Sequence, residues 1–325
     1  MRALITGAAG FIGHHLLGYL ASKTDWEITI LDRLDHSGNL NRIDQLNLPK
    51  GRARFVFHDL RAQIGSQLAR QIGEHDYIFH MAASTHVDRS LLDPALFVQD
   101  NVVATCNLLD FARATGCKKF FNFSTDEVFG PAAEGHAHKE DEPYRPSNPY
   151  SATKAGAASL GCAYWVSFKV PVITTYTMNN FGERQHPEKL IPRTIRCLIE
   201  DEPMPVYAER INGQLVPVGS RYWLHAGNTA SALHYLASYG MPGQAYNIIG
   251  FDEWRNWDLI HYVAELAGKK LKTKLVDFYG IRPGHDVRYA LDGSKLAALG
   301  WKPEANFAQS MRRTVQFSLE HREWV

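Results

Sequence analysis

Short apolar runs alternate with longer amphipathic stretches through the first half of the chain. Ala3-Leu4-Ile5, Glu27 to Leu31 and Phe55-Val56-Phe57 read as strands, and Tyr77 to Met81, Lys119 to Phe123 and Val170 to Thr174 continue the series. Phe11 to Ser22 has the period of a helix. Apolar runs separated by segments long enough for crossover helices predict a doubly wound parallel sheet, covered by helices on both faces. Pro171 cannot donate to a sheet ladder, so it belongs at the start of its strand. After about residue 180 the rhythm changes. Pro187, Pro192, Pro203 and Pro205 crowd in, and Asn212-Gly213 between Val206-Tyr207 and Leu215-Val216 predicts a β-hairpin. Trp257 to Ala267 and Phe307 to His321 predict amphipathic helices. The expected organisation is an α/β domain over residues 1–180, to which later elements can return, and a smaller mixed α/β lobe over 181–325.

Composition narrows the class. Among 325 residues, 35 Lys+Arg face 34 Asp+Glu, and 45% of residues are hydrophobic. Disorder needs the opposite balance, and no basic block marks a nucleic-acid footprint. No apolar run reaches the roughly 18 residues of a membrane span. Cys106, Cys117, Cys162 and Cys197 form no Cys-x-x-Cys pair, which fits a reducing compartment and predicts a cytoplasmic protein.

The first chemistry is in the turn after the first strand. Gly7, Gly10 and Gly13, with Phe11 and Ile12 between them, open the first helix. Glycines at this spacing let backbone approach a pyrophosphate, and the helix start supplies N–H groups to it. Asp32 ends the second strand, where a carboxylate accepts bonds from ribose hydroxyls and repels a 2′-phosphate. This favours NAD over NADP, although Arg33 beside it could accommodate that phosphate. Asp59-Leu60 follows the third strand and could bracket the adenine. Farther on, Tyr150 and Lys154 stand at i and i+4, on one face of a helix. The nearby cation is expected to lower the tyrosine pKa toward working pH, for proton transfer during hydride exchange with nicotinamide.

These motifs, together with Leu31-Asp32-Arg33-Leu34, Gly38-Asn39-Leu40, His80-Met81-Ala82-Ala83, Asn179-Asn180-Phe181-Gly182, Pro187 to Pro192 and Arg282-Pro283-Gly284-His285-Asp286, resemble the extended short-chain dehydrogenases/reductases that modify nucleotide sugars. Ser124-Thr125-Asp126-Glu127-Val128-Phe129-Gly130 resembles the signature of their 4,6-dehydratases. The resemblance implies a Rossmann-type fold, bound NAD and a nucleotide-diphosphate hexose, dTDP- or UDP-linked, as substrate. In that reading Tyr150, aided by Thr125, takes the C4 hydroxyl proton, Glu127 takes the C5 proton, Asp126 protonates the departing C6 oxygen, and Lys154 holds the nicotinamide ribose. Ala82, Ala83, Ser84 and Asn101 are then expected near the cofactor; Asn101 is equally placed to cap a helix. Ser84, His86, Asp88, Arg89, Asn180, Lys189, Leu190, Arg221 and Tyr289 are expected on the substrate side. The resemblance also implies a homodimer, paired through the helix after Ser90 and the helix of Tyr150.

Two stretches depart from the family pattern. Residues 207–220 are longer than usual, and Tyr222 and His225-Ala226-Gly227-Asn228 replace acidic positions, so base and sugar stay open. An epimerase, a decarboxylase, a 5,6-dehydratase or a non-catalytic NAD(H)-sensing scaffold remain as alternatives. His136-Ala137-His138 has no evident third ligand and is expected to be a polar loop, with no metal.

Overall fold

A computed structural model of the chain describes residues 1–250, 252–277 and 288–325. The Arg282 to Asp286 motif lies outside the described residues. In chain order the strands are β1 (Arg2–Thr6), β2 (Glu27–Asp32), β3 (Ala53–Phe57), β4 (Tyr77–His80), β5 (Lys119–Thr125), β6 (Val172–Thr177), β7 (Asn179–Phe181), β8 (Met204–Ile211), β9 (Gln214–Pro217), β10 (Ser220–His225), β11 (Ala245–Ile248), β12 (Glu253–Arg255) and β13 (Thr273–Asp277). The longer helices are α1 (Phe11–Lys23), α2 (Ala104–Thr115), α3 (Pro149–Phe168), α4 (Leu190–Glu200), α5 (Ala226–Tyr239), α6 (Asn256–Leu266) and α7 (Phe307–Glu320).

Among the described residues, seven strands form one sheet in the order β11-β6-β5-β4-β1-β2-β3, parallel throughout. This is the expected Rossmann-type arrangement. Side chains alternate across it. Leu4, Leu31, Ile78, Phe120 and Val172 pack with Leu108 and Leu109 of α2 on one face. Ile5, Ile30, Phe79, Phe121 and Ile173 pack with Leu16, Leu17 and Leu20 of α1 and Leu233 and Leu236 of α5 on the other. Both faces are covered, so the strands carry continuous apolar runs rather than a polar alternation. Pro171 sits one residue before β6, where its carbonyl accepts the Phe120 N–H at 2.9 Å.

The chain leaves this sheet after β6 and returns to it. α5 packs beside α1, and β11 pairs in parallel with β6. The intervening and following segments make the lobe, with two three-stranded sheets, β12-β10-β7 and β13-β8-β9. Phe181, Ile195, Trp223, Leu259, Val263 and Met311 form its core. The hairpin falls where Asn212-Gly213 placed it: β8 and β9 pair antiparallel through Ile211 and Gln214. Both turn residues have positive φ, 49° and 82°, the geometry that makes this dipeptide a hairpin signal.

The stacked rings of Phe79 and Phe121 lie 4.7 Å apart with full burial, at the centre of the sheet. Phe121→Ala would leave a cavity between β4, β5 and the α1/α5 layer. It is expected to destabilise the protein by about 3–5 kcal/mol, read as a lower urea midpoint with an unchanged m-value.

Candidate active site

A cavity of about 620 Å³ runs along the edge where the parallel strands end, at the reversal of strand order between β1 and β4. Crevices at such a point are the usual ligand sites of doubly wound sheets. Gly7, Gly10, Phe11, Ile12 and Gly13 form one wall. A Cβ on Gly7 would lie 2.7 Å from the Ala82 backbone, and its φ of +70° also favours glycine. A Cβ on Gly13 would lie 2.2 Å from the Gly7 carbonyl. The turn therefore approaches both its helix and the segment after β4 more closely than any side chain permits. A glycine turn opening a helix presents backbone N–H groups of the kind that suit a dinucleotide pyrophosphate.

Asp32, Asp59 and Leu60 line the cavity at the ends of β2 and β3. Asp32 accepts the N–H groups of Ala9 at 3.0 Å and Leu34 at 2.9 Å, while burial pushes its carboxyl upward. Arg33 donates two bonds to buried Asp100, at 2.6 and 2.8 Å, and another to Asp35 at 2.9 Å. Its guanidinium is thus held by carboxylates rather than presented to a 2′-phosphate. Burial raises Asp59, but Arg61 and then Arg33 outweigh it and hold the carboxyl at about 2.

After β4, Ala82, Ala83, Ser84, His86 and Arg89 line the opposite wall. Asn101 does not line the cavity and caps no helix. It accepts the Ser84 N–H at 2.8 Å and donates to the Ser84 carbonyl at 3.0 Å and to Thr153 at 2.9 Å. It therefore ties this wall to α3. A π-helical turn, Val98–Val103, points both Asp100 and Asn101 inward.

The floor is built where β5 ends and α3 begins. Thr125 closes β5, and Asp126 and Glu127 open a short 3₁₀ turn, Asp126–Phe129. Thr125 donates to Asp126 Oδ1 at 2.9 Å and accepts the Glu127 N–H. Asp126 Oδ2 is buried and has no hydrogen-bond partner among the described residues. Burial and the neighbouring Glu127 push the Asp126 carboxyl up to about 7, against the pull of Thr125 and Arg221. One carboxyl is thereby kept as an acid beside another.

Tyr150 and Lys154 share the buried face of α3, as their spacing predicts, and both line the cavity. The expected lowering of the phenol pKa is not found. Burial and Glu127 raise Tyr150, and a hydrogen bond with Thr125 offsets only part of that rise. The Lys154 ammonium instead donates to the Phe123 carbonyl at 2.6 Å, and burial lowers it to about 8. Asn148, absent from the motifs, joins this floor to α3. It caps α3 by accepting the Ser151 N–H at 2.9 Å, and its amide donates to Glu127 Oε2 at 3.2 Å. Asn before Pro at a helix start was the available signal.

The lobe supplies Asn180, Lys189 and Leu190 to the cavity. Asn180 is held by Thr177 at 3.0 Å and by Thr229 at 2.5 Å. At the rim, His86, Arg89, His186 and Lys189 gather around Glu188 at 3.5–3.9 Å. Asp88, Arg221 and Tyr289 are not among the lining residues. Arg221 lies over the Tyr289 ring at 4.7 Å, close enough to act on Asp126 electrostatically.

The GDP-mannose 4,6 dehydratase family model matches residues 4–314. A dTDP-glucose 4,6-dehydratase of Streptomyces griseus is 38% identical, covering 99% of this chain and 95% of that one. The crystal structure of DesIV, a dTDP-glucose 4,6-dehydratase from Streptomyces venezuelae solved with NAD bound, superposes with a TM-score of 0.90. It is 34% identical and covers 100% of this chain and 98% of its own. A Thermus thermophilus UDP-glucose 4-epimerase, also solved with NAD, gives 0.87 at 30% identity, covering 98% of both chains.

Two measurements test the raised carboxyl and the helix cap. A carboxyl raised by folding stabilises below its unfolded value and loses that contribution as pH climbs through its folded value. The stability of Asp126→Asn relative to the native chain is therefore expected to grow between about pH 4 and pH 7, then level off. Urea titrations across pH read this directly. Asn148→Ala is expected to cost about 1–2 kcal/mol, whereas Asn148→Ser, which keeps a cap, should cost clearly less in the same assay.

Proposed function

The chain belongs to the GDP-mannose 4,6 dehydratase family, and from that membership we propose that it is an NAD-dependent hydro-lyase acting on a nucleotide-diphosphate hexose. The product is a 4-keto-6-deoxy sugar nucleotide. The observation that carries this reading is the pair of adjacent carboxyls, Asp126 held protonatable and Glu127 beside it, on the floor of the cavity that also holds the glycine cradle. Epimerisation needs no acid for the C6 oxygen; elimination of water does.

Gly7, Gly10, Gly13 and the start of α1 would hold the pyrophosphate of NAD, Asp32 the adenosine ribose, and Lys154 the nicotinamide ribose. The pairing of Arg33 with Asp100 and Asp35 supports NAD rather than NADP. When bound, NAD supplies the hydride acceptor at C4 and the hydride donor at C6. The chain's own groups move the protons. Tyr150, hydrogen-bonded with Thr125, would take the C4 hydroxyl proton as the phenolate, a form that burial and Glu127 disfavour in the chain alone and that the positive charge of a bound nicotinamide would favour. The resulting ketone acidifies C5, and Glu127, held by the Asn148 amide, removes that proton and returns it to C5 once C6 is reduced. Asp126 gives its proton to the leaving C6 oxygen, the role for which a buried, elevated carboxyl is suited. Arg89 and Lys189, gathered around Glu188 at the rim, would turn to the diphosphate, with His86 as a hydrogen-bonding partner and Arg221 approaching from outside the lining residues.

The relatives support a dTDP-linked hexose first and a UDP-linked one second. We also infer a homodimer, supported by exposed apolar side chains on the proposed pairing helices: Leu92, Val98, Val103 and Val166. The four free cysteines support a reducing compartment, the cytoplasm.

Incubation with dTDP-, UDP-, GDP- and CDP-hexoses, followed by mass spectrometry, tests the reaction. Loss of the mass of one water supports it; an isomer of unchanged mass, or loss of CO₂ from a uronate, overturns it. Asp126→Asn and Glu127→Gln are each expected to keep NAD affinity while slowing water loss by about 10²–10⁴-fold. Near-native turnover in both variants would sink the division of roles. The native enzyme should lose rate above about pH 7, as Asp126 gives up its proton.

A further inference from the structure

Outside the cavity, one side-chain cluster has donors converging on a point. His136 Nε2 lies 3.2 Å from Glu142 Oε2, and His138 Nδ1 lies 2.7 Å from the same oxygen. The three ligating atoms all fall within 4.8 Å of one another. The sequence offers no evident third ligand; the structure brings Glu142, four residues beyond His138 in a segment that is not helical, beside both histidines.

The donors stand on a fixed backbone. His138 N–H donates to the Ala290 carbonyl at 2.9 Å, and its own carbonyl accepts from Asp292 at 2.9 Å and from Asn247 at 3.0 Å. Arg288 donates to the His136 carbonyl at 2.9 Å, while its charge is met by Glu253. Glu142 is oriented by the Lys139 N–H, 2.9 Å from Oε1, which leaves Oε2 facing the imidazoles. His138 is buried, whereas the His136 side chain is 46% exposed, so the cluster can be reached from solvent.

Two imidazole nitrogens and one carboxylate oxygen suit zinc and similar first-row cations, whereas magnesium and calcium select oxygen. Ligands on a tetrahedral zinc stand about 3.3 Å apart, given bonds of about 2.0–2.1 Å. The histidine–carboxylate spacings of 3.2 and 2.7 Å open slightly, and the two histidine nitrogens, within 4.8 Å of each other, close toward the same separation to hold the ion. Three protein ligands leave the fourth position to water. We propose that His136, His138 and Glu142 form a binding site for a zinc-like divalent cation, separate from the active site. Its role is structural. His138 stacks on Phe129 with ring centroids 5.5 Å apart, and Phe129 ends the turn that begins with Asp126. An ion here clips the outer loop to the back of the acid turn without touching substrate.

The test uses the full chain with NAD, stripped with a chelator, desalted and titrated calorimetrically with ZnCl₂ and separately with MgCl₂. One Zn²⁺ per chain is expected, with no comparable Mg²⁺ uptake. His136→Gln, an exposed position whose loss leaves the core intact, and Glu142→Gln should each weaken Zn²⁺ binding at least a hundredfold. Cys162→Ser, removing the exposed thiol, should leave it unchanged. Co²⁺ in place of Zn²⁺ should give visible bands of a low-coordinate nitrogen–oxygen site that vanish in His136→Gln. Equal Zn²⁺ affinity in the native chain and His136→Gln overturns the proposal. So does a Co²⁺ spectrum dominated by thiolate charge transfer. Neither readout depends on dehydratase activity.

Discussion

The parallel pairing of β1 with β4, and of β4 with β5, brings successive chain ends to one edge of one sheet, and the chemistry of the protein hangs on that edge. The turn after β1 can approach the segment after β4 only because Gly7 carries no side chain. The end of β5 then sets Thr125, Asp126 and Glu127 opposite the α3 pair, Tyr150 and Lys154. Both faces of the sheet are sealed by apolar helices, so polar groups concentrate along this edge.

Burial there acts on each group according to the charge it would carry. It raises Asp126 to about 7 and lowers Lys154 to about 8, and it pushes the Tyr150 phenol upward. A low-dielectric floor thus favours the neutral form of each group. Asn148 couples this floor to the fold, because one amide side chain both starts α3 and holds Glu127. Asn101 does the corresponding work on the wall, fastening Ser84 to α3 through Thr153.

Much of this was legible in the chain. The glycine turn, the Pro171 boundary and the Asn212-Gly213 hairpin follow from local backbone sterics, which act over a few residues and leave a signature in sequence. The Tyr150–Lys154 spacing announced a shared helix face for the same reason. Other features were not legible. The partner of Arg33 is Asp100, 67 positions away, and no local pattern distinguishes an arginine held by a carboxylate from one awaiting a phosphate. The Tyr150 phenol is not lowered as the i, i+4 spacing suggests, because packing turns the Lys154 ammonium toward the Phe123 carbonyl, a contact no local pattern encodes.

The sequence by itself determined the element types and the turn chemistry, because these depend on near neighbours and intrinsic side-chain properties. Only the tertiary structure decided that α5 and β11 rejoin the first sheet, that Asp126 is enclosed beside Glu127, and that Glu142 meets two histidines. Those outcomes depend on which distant segments share a buried volume, and burial sets both the protonation and the orientation of the groups enclosed.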